Sequence, residues 1–290
     1  MTRRTNLLHV HAVIKRSALK RRLHAACDGE AARVDLDFDD LGLDAGSLVE
    51  EVARPLSAGS PRLHRLTAAL AASGSLAAII DGLVDSHAGR RWRSARLAGA
   101  LRLDAATPWL AELLSSREAY VRVAACRALG RIGGATAAAA LVAALRVRRI
   151  SAGRLVIELA RAAPDLYLES CLNLPRNASV RPGLVAALAL RRRRTALHTM
   201  RRLVLSGSQR ERTYACRALA WLGERAAADD LAQALEHPSW RVRHAAARSL
   251  GQLGDERHLP ALELRLLDAN QQTRGAAAQA VRKLSARGAK

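Results

Sequence analysis

The sequence predicts an all-α fold: a right-handed α-solenoid, a superhelix of antiparallel helix pairs stacked in about six to seven repeats. Three observations predict it. An arginine returns at a near-fixed interval, at Arg93, Arg122, Arg181, Arg212, Arg243 and Arg274, in steps of 29, 59, 31, 31 and 31 residues. The long step is two periods, and Arg154 lies near the missing rung. Seven to ten residues after the arginine, apolar pairs return with it: Leu129 and Ile132, Leu219 and Leu222, Leu250 and Leu253, Val281 and Leu284. A turn then leads into a second run with leucines three or four apart, as in Leu141 to Leu145 and Leu231 to Leu235. That spacing places the leucines on one side of a helix. The glycines after Ile132, Leu222 and Leu253 suit the left-handed backbone that ends a helix, and Asp255 stands where it can cap the next one.

The stretches VRVAACRALGRIGG (121–134), RTYACRALAWLGE (212–224) and VRHAAARSLGQLGD (242–255) resemble HEAT-like repeats of the phycobilisome-lyase type. The resemblance covers roughly the last two-thirds of the chain and weakens between residues 150 and 200. It implies stacked helix pairs. It does not imply one activity, because the same repeat serves scaffolds, lyase subunits and enzymes.

Taken in order, residues 1–27 are predicted as a basic N-terminal helix, with seven basic side chains and no acid in residues 1–25. Its apolar piece, Leu7 to Ile14, is broken by His9 and His11 and is too short for a secretory signal. Such a helix can lie on a membrane surface, dock on a partner or stand in solvent. Some bacterial HEAT-repeat proteins that the chain resembles carry a membrane span ahead of a basic stretch. No run of about 18 apolar residues occurs here, so no transmembrane segment is predicted and any anchoring would be peripheral. Residues 28–51 are predicted as an acidic linker carrying Asp35, Asp37, Asp39, Asp40, Asp44, Glu50 and Glu51. The sixth and twelfth positions from Asp35 lack the Gly and Glu of a calcium loop, so its acids are expected to pair with arginines of the repeats. Residues 52–88, with Leu63, Leu66, Leu70, Ile79 and Leu83, are predicted as an atypical capping helix pair. Residues 89–290 are the repeat solenoid. Its middle is cut by Pro164, Pro175 and Pro182, and its last helix has the polar partner face of a cap: Asn270, Gln271, Gln272 and Gln279.

Half of the 290 residues are hydrophobic but only 3% are aromatic, so Ala, Leu and Val must do the packing. Cys27, Cys126, Cys171 and Cys216 are far apart, with no CxxC, which points to a reducing, cytoplasmic setting and no structural zinc. The formal net charge is +21. The basic excess of residues 1–25 is cancelled by nine acids against Arg33 and Arg54 in residues 26–55, so the whole excess rests on residues 56–290. Charge of this size attracts polyanions such as nucleic acid, or an anionic membrane surface. A basic host proteome produces the same count with no such partner.

No GxSxG, HExxH or Walker motif occurs, and the nine histidines are scattered. Deoxyhypusine hydroxylase is a HEAT-repeat enzyme that holds iron through His-Glu dipeptides, and this chain has none. No catalytic residue, cofactor or metal is predicted. The candidates for partner or polyanion binding are Arg90, Arg91 and Arg93 around Trp92; Arg146, Arg148 and Arg149; Arg191, Arg192, Arg193 and Arg194; and Arg201 and Arg202. Four consecutive arginines cannot share one helical face, so a groove and a solvated turn are both open for the run from Arg191. Arg122, Arg181, Arg212, Arg243 and Arg274 are predicted as a structural ladder. Each would bond to a neighbouring carbonyl or carboxylate, with Glu224 and Asp255 as candidate acceptors. Trp92 is expected to fill space between repeats rather than to stack on a base.

The leading expectation is a non-enzymatic scaffold or adaptor that binds a protein partner through its concave or basic surface, with a membrane face as one setting. The alternative is a nucleic-acid-binding protein with a basic groove like that of HEAT-like DNA glycosylases. For that reading Trp221, Trp240, Asp229 and Asp230 are the only elements that fit. A bilin lyase-type subunit is a third reading and rests on the repeat alone.

Overall fold

A computed structural model describes residues 2–37, 45–164 and 166–288, with side chains for 13–37, 45–164 and 166–287. The side chains ahead of Val13, and the centre of the acidic stretch with Asp39, Asp40 and Asp44, lie outside the described residues. Among the described residues every regular element is a helix. The chain divides into two compact units, Met1–Pro164 and Asp165–Lys290.

The first unit contains α1 (Thr2–Asp28), α2 (Ala45–Ala53), α3 (Pro61–Ala72), α4 (Ser75–Asp81), α5 (Ala88–Ala100), α6 (Thr107–Leu113), α7 (Ala119–Ile132), α8 (Gly134–Val147) and α9 (Ala152–Ala162). Helices α5, α7 and α9 pack in sequence, and α6 and α8 form a second layer against them. The second unit contains α10 (Tyr167–Asn173), α11 (Arg181–Leu190), α12 (Leu197–Ser206), α13 (Gln209–Leu222), α14 (Ala228–Ala234), α15 (Trp240–Leu253), α16 (Leu259–Glu263) and α17 (Gln271–Gly288). Here α11, α13, α15 and α17 form the first layer, with α12 and α14 behind. Each unit is therefore a stack of helix pairs.

The repeat pattern explains the layers. The buried residues of α7 include the set Val121, Ala124, Ala125, Ala128, Leu129 and Ile132, and those of α15 the set Val242, Ala245, Ala246, Leu250 and Leu253, with Cys126, Gly130, Ala247, Ser249 and Gly251 buried beside them. Steps of three and four put each set on one side of its helix. Full burial of a leucine such as Leu129 or Leu250 contributes about 1.5–3 kcal/mol. Small residues set the spacing. A Cβ built on Gly99 would stand 2.6 Å from Ala128 Cα, and one on Gly251 would stand 2.7 Å from Ala280 Cα. At these points α5 meets α7, and α15 meets α17, nearly backbone to backbone.

The expected helix ends are found with two corrections. Gly223 has φ 72° and ψ 27°, the left-handed helical conformation, whereas Gly133 combines φ 79° with ψ −167° and lies outside it. Gly254 is extended, at φ −69° and ψ 172°, and not left-handed. Glycine is needed there for room instead, since a Cβ would lie 2.8 Å from the Leu250 carbonyl oxygen. The Asp255 N–H donates to His258 Nδ1 at 3.3 Å and ties this turn to the next short helix. Among the described residues no single helix is long and apolar enough to cross a membrane; α3 and α4 have the length together but are bent by 83°.

Candidate functional site

The ladder arginines sit at the first turn of the first-layer helices and bond the carbonyls of the turn that precedes them. Arg122 Nη1 donates to the carbonyls of Ser116 (2.8 Å) and Arg117 (2.7 Å). Arg243 Nη1 donates to those of His237 (2.9 Å) and Pro238 (2.7 Å), and Arg274 Nη1 to those of Asp268 (2.7 Å) and Ala269 (3.1 Å). Arg212 takes Gly207 and Val204, both at 2.7 Å, and Arg181 takes Leu172 at 3.0 Å and pairs with Glu211. Carbonyls at the end of a helix lack partners within it, and a planar guanidinium can satisfy two at once.

Arg243 also grips Asp268 with two bonds, Nε to Oδ2 at 2.7 Å and Nη2 to Oδ1 at 2.8 Å. The Asp268 side chain is 2% exposed. The bonds from Arg243 outweigh burial and hold its carboxyl below the usual carboxylate range.

Two details of the ladder differ from the sequence expectation. Its first member is Arg91, whose Nη1 donates to the Asp85 (2.7 Å) and Ser86 (2.8 Å) carbonyls while Nη2 meets Glu118 at 3.1 Å. Arg91 precedes Arg122 by 31 residues, which restores the regular step; Arg93 is exposed. The residue one period after Arg122 is Gly153, and Arg154 makes no rung bond. The acceptors are also different. Glu224 takes Arg194 at 3.2 Å and Asp255 takes Arg257 at 3.2 Å. Both acids follow the far end of a first-layer helix, roughly 20 Å along its axis from the rung at its start.

The other candidate arginines fall into two classes. Arg90 pairs with Asp85 at 3.3 Å, Arg193 with Glu169 at 3.4 Å and Arg201 with Asp230 at 2.5 Å, and Arg149 donates to the Ser115 carbonyl at 2.8 Å. Arg93, Arg148, Arg192 and Arg202 are exposed, with no such bond among the described residues. Arg146 is exposed at the end of α8, and Arg191 half-buried at the end of α11. Arg148 and Arg192 have φ of 58° and 53°, so each turns a corner. The run Arg191–Arg194 is thus the turn after α11, not a helical face.

A second row escaped the sequence reading. Five residues after the rungs Arg91, Arg122, Arg212 and Arg243 stand Arg96, Arg127, Arg217 and Arg248. Arg127, Arg217 and Arg248 are exposed and form no hydrogen bond or ion pair among the described residues. The signal was available, since Arg96 to Arg127 and Arg217 to Arg248 are both steps of 31. In α9 the row position holds Glu158, buried against Gly130 and paired with Arg161 at 2.6 Å. Burial pushes its carboxyl up, against the pull of Arg161, Arg127, Arg131 and Arg154.

In the first unit the row borders a groove of about 520 Å³ lined by Trp92, Arg96, Tyr120, Arg127 and Arg131, with Glu50 and Arg54 of the α2 region on its flank. Trp92 is half-buried, and the Arg96 guanidinium lies 4.4 Å from its ring centre. Arg241 covers Trp240 in the same way at 4.8 Å. Trp221 is exposed, but the acids once grouped with it are engaged: Asp230 by Arg201, and Asp229 by His258 at 3.1 Å and Arg257 at 3.5 Å. Cys126 and Cys216 are buried, and burial pushes both thiols up to about 12, so they serve as small apolar fillers. No group of three or more His, Cys, Asp or Glu that could hold a metal ion occurs among the described residues.

A family model for HEAT repeats matches residues 76–160 and 200–282. Comparison with curated proteins finds no match. Among solved structures, human deoxyhypusine hydroxylase in complex with glycerol is 18% identical over 97% of this chain and 98% of its own, with a TM-score of 0.37. An engineered protein is 17% identical over 83% of this chain and 78% of its own, also at 0.37. The complex of CpcE and CpcF of phycocyanin lyase from Nostoc is 20% identical over 82% of this chain and 94% of that chain, at 0.27. Likenesses this loose carry no argument about activity.

Proposed function

We propose that this chain, which belongs to the HEAT-repeat family, is a non-enzymatic scaffold that takes a protein partner on its basic surface. One observation carries the reading: in each unit the outer arginines, Arg127 in the first and Arg217 and Arg248 in the second, are exposed and unbonded, while the rung arginines on the same helices are engaged within the fold. Stacked helices present extended surfaces, and a repeated exposed guanidinium offers a carboxylate several donors in a fixed fork.

A protein is favoured over nucleic acid by the state of two of the four tryptophans. Trp92 and Trp240 each carry a guanidinium on one ring face, where a stacked base would otherwise lie. The repeats are favoured over a membrane as the contact because the described basic charge of α1 is partly engaged, Arg16 and Lys20 meeting Glu51 at 3.3 and 2.6 Å.

The test is affinity capture from a native lysate, with crosslinking and mass spectrometry, using the chain and its Arg127→Glu/Arg217→Glu/Arg248→Glu variant. The reading expects a defined protein bound by the chain and reduced by about tenfold or more on the variant. Retention of nucleic acid instead, with affinity falling steeply as salt rises, would establish the alternative.

A further inference from the structure

We infer that the groove between Trp92 and Arg131 in the first unit is the docking site for an acidic segment of a partner protein that alternates carboxylates with apolar side chains. The inference rests on the scaffold reading and narrows it to one place and one partner chemistry.

The groove's shape suits a few side chains rather than a folded surface. Its volume of about 520 Å³ is that of a small-molecule pocket and admits only a few side chains. Its floor is apolar, made by Val123, Ala124 and Ala128 of α7.

Its charge is unbalanced. Four arginines border it against the single acid Glu50. The Glu50 side chain is 5% exposed and already bound twice by Arg96, at 3.0 Å through Nε and 2.5 Å through Nη2, with Arg54 at 3.9 Å. Arg127 and Arg131 form no ion pair or side-chain hydrogen bond among the described residues, and the carboxylate whose field they share, Glu158, is buried and paired with Arg161. Arg127 and Arg131 are four apart on α7, so their side chains leave the helix about 5–6 Å from each other. Two residues of an extended strand span about 6.8 Å. An alternating segment can therefore set a carboxylate on each guanidinium and lower the intervening apolar side chain to the floor. Tyr120 is 49% exposed one turn before Ala124 and supplies a flat wall for that side chain.

A nucleic acid strand fits less well. Its phosphates would meet the arginines, but the Arg96 guanidinium over Trp92 stands where a base would stack.

The experiment uses a short fluorescein-labelled peptide of alternating Glu and Leu, with oligo-dT as competitor, in fluorescence anisotropy with the full chain. The variants are Arg127→Glu/Arg131→Glu in the groove and Arg217→Glu/Arg248→Glu in the second unit. Thermal melts confirm that both fold, and Arg127→Gln/Arg131→Gln provides a milder version. The peptide is expected to bind the unmodified chain, to lose about tenfold or more in affinity with the groove variant, and to change by less than about twofold with the other. Equal loss with both variants, or none with either, overturns the site while leaving the scaffold reading intact. Failure of the peptide to bind the unmodified chain overturns the partner chemistry, and the lysate capture decides the scaffold reading separately. Tighter binding of oligo-dT than of peptide, abolished by the groove variant, makes the occupant a nucleic acid and overturns both.

Discussion

Arg122 and Arg127 share one helix, as do Arg243 and Arg248, yet each pair is divided between two regions of the molecule. The rung residues close the preceding turn, and the outer residues face solvent with no hydrogen bond or ion pair among the described residues. Five residues advance about 140° around an α-helix, so one side chain cannot copy the other's surroundings. A net charge of +21 is therefore not a measure of what a partner can feel. Arginines tied to carbonyls and buried carboxylates leave less of that charge at the surface. Part of what remains, Arg127, Arg217 and Arg248, is ordered by the same period as the fold.

The comparison can be broken most severely at Arg243. Replacing it by Ala leaves Asp268 buried without its main partner, and the expected loss in urea unfolding is about 3 kcal/mol. The pH dependence has a fixed sign. The Asp268 carboxyl titrates lower in the folded chain than in the unfolded one. Its contribution is thus complete above an ordinary carboxylate value of about 4 and disappears as pH falls through the folded value. Stability measured across that acid range should slope less in Arg243→Ala than in the unmodified chain.

A smaller effect is expected where α15 meets α17. Gly251→Ala places a Cβ against the Ala280 backbone and should cost about 1–3 kcal/mol, read from the same unfolding curves. Next is Ser208, whose N–H donates to Glu211 Oε2 at 2.8 Å and whose Oγ accepts from the Glu211 N–H at 3.5 Å. Ser208→Ala should cost about 1 kcal/mol, seen as a lower melting temperature. The smallest effect belongs to the outer row: Arg248→Ala should stay within about 0.5 kcal/mol of the unmodified chain.

The stacked fold was legible because it repeats. The rungs and their apolar pairs announce α7, α13, α15 and α17 directly. The first rung was misread because RRWR offers three arginines, and only the carbonyls of Asp85 and Ser86 single out Arg91. The extended backbone at Gly254 was hidden because glycine serves both conformational freedom and close approach. The groove could not be read from local pattern at all. It needs Glu50 beside Arg96 across 46 residues of sequence, a contact created by packing α2 on α5. The outer row was legible in principle, but it shares its 31-residue step with the rungs and so adds no separate period to the sequence.

The most direct test of the division between the two rows is a paired series of urea unfolding curves for Arg122→Ala, Arg243→Ala, Arg127→Ala and Arg248→Ala. The first two should lower the unfolding midpoint clearly, and the second two should leave it where it was. Outer-row variants that unfold as readily as the rung variants would show that Arg127 and Arg248 belong to the fold's own framework, and the binding surface proposed for them would be lost.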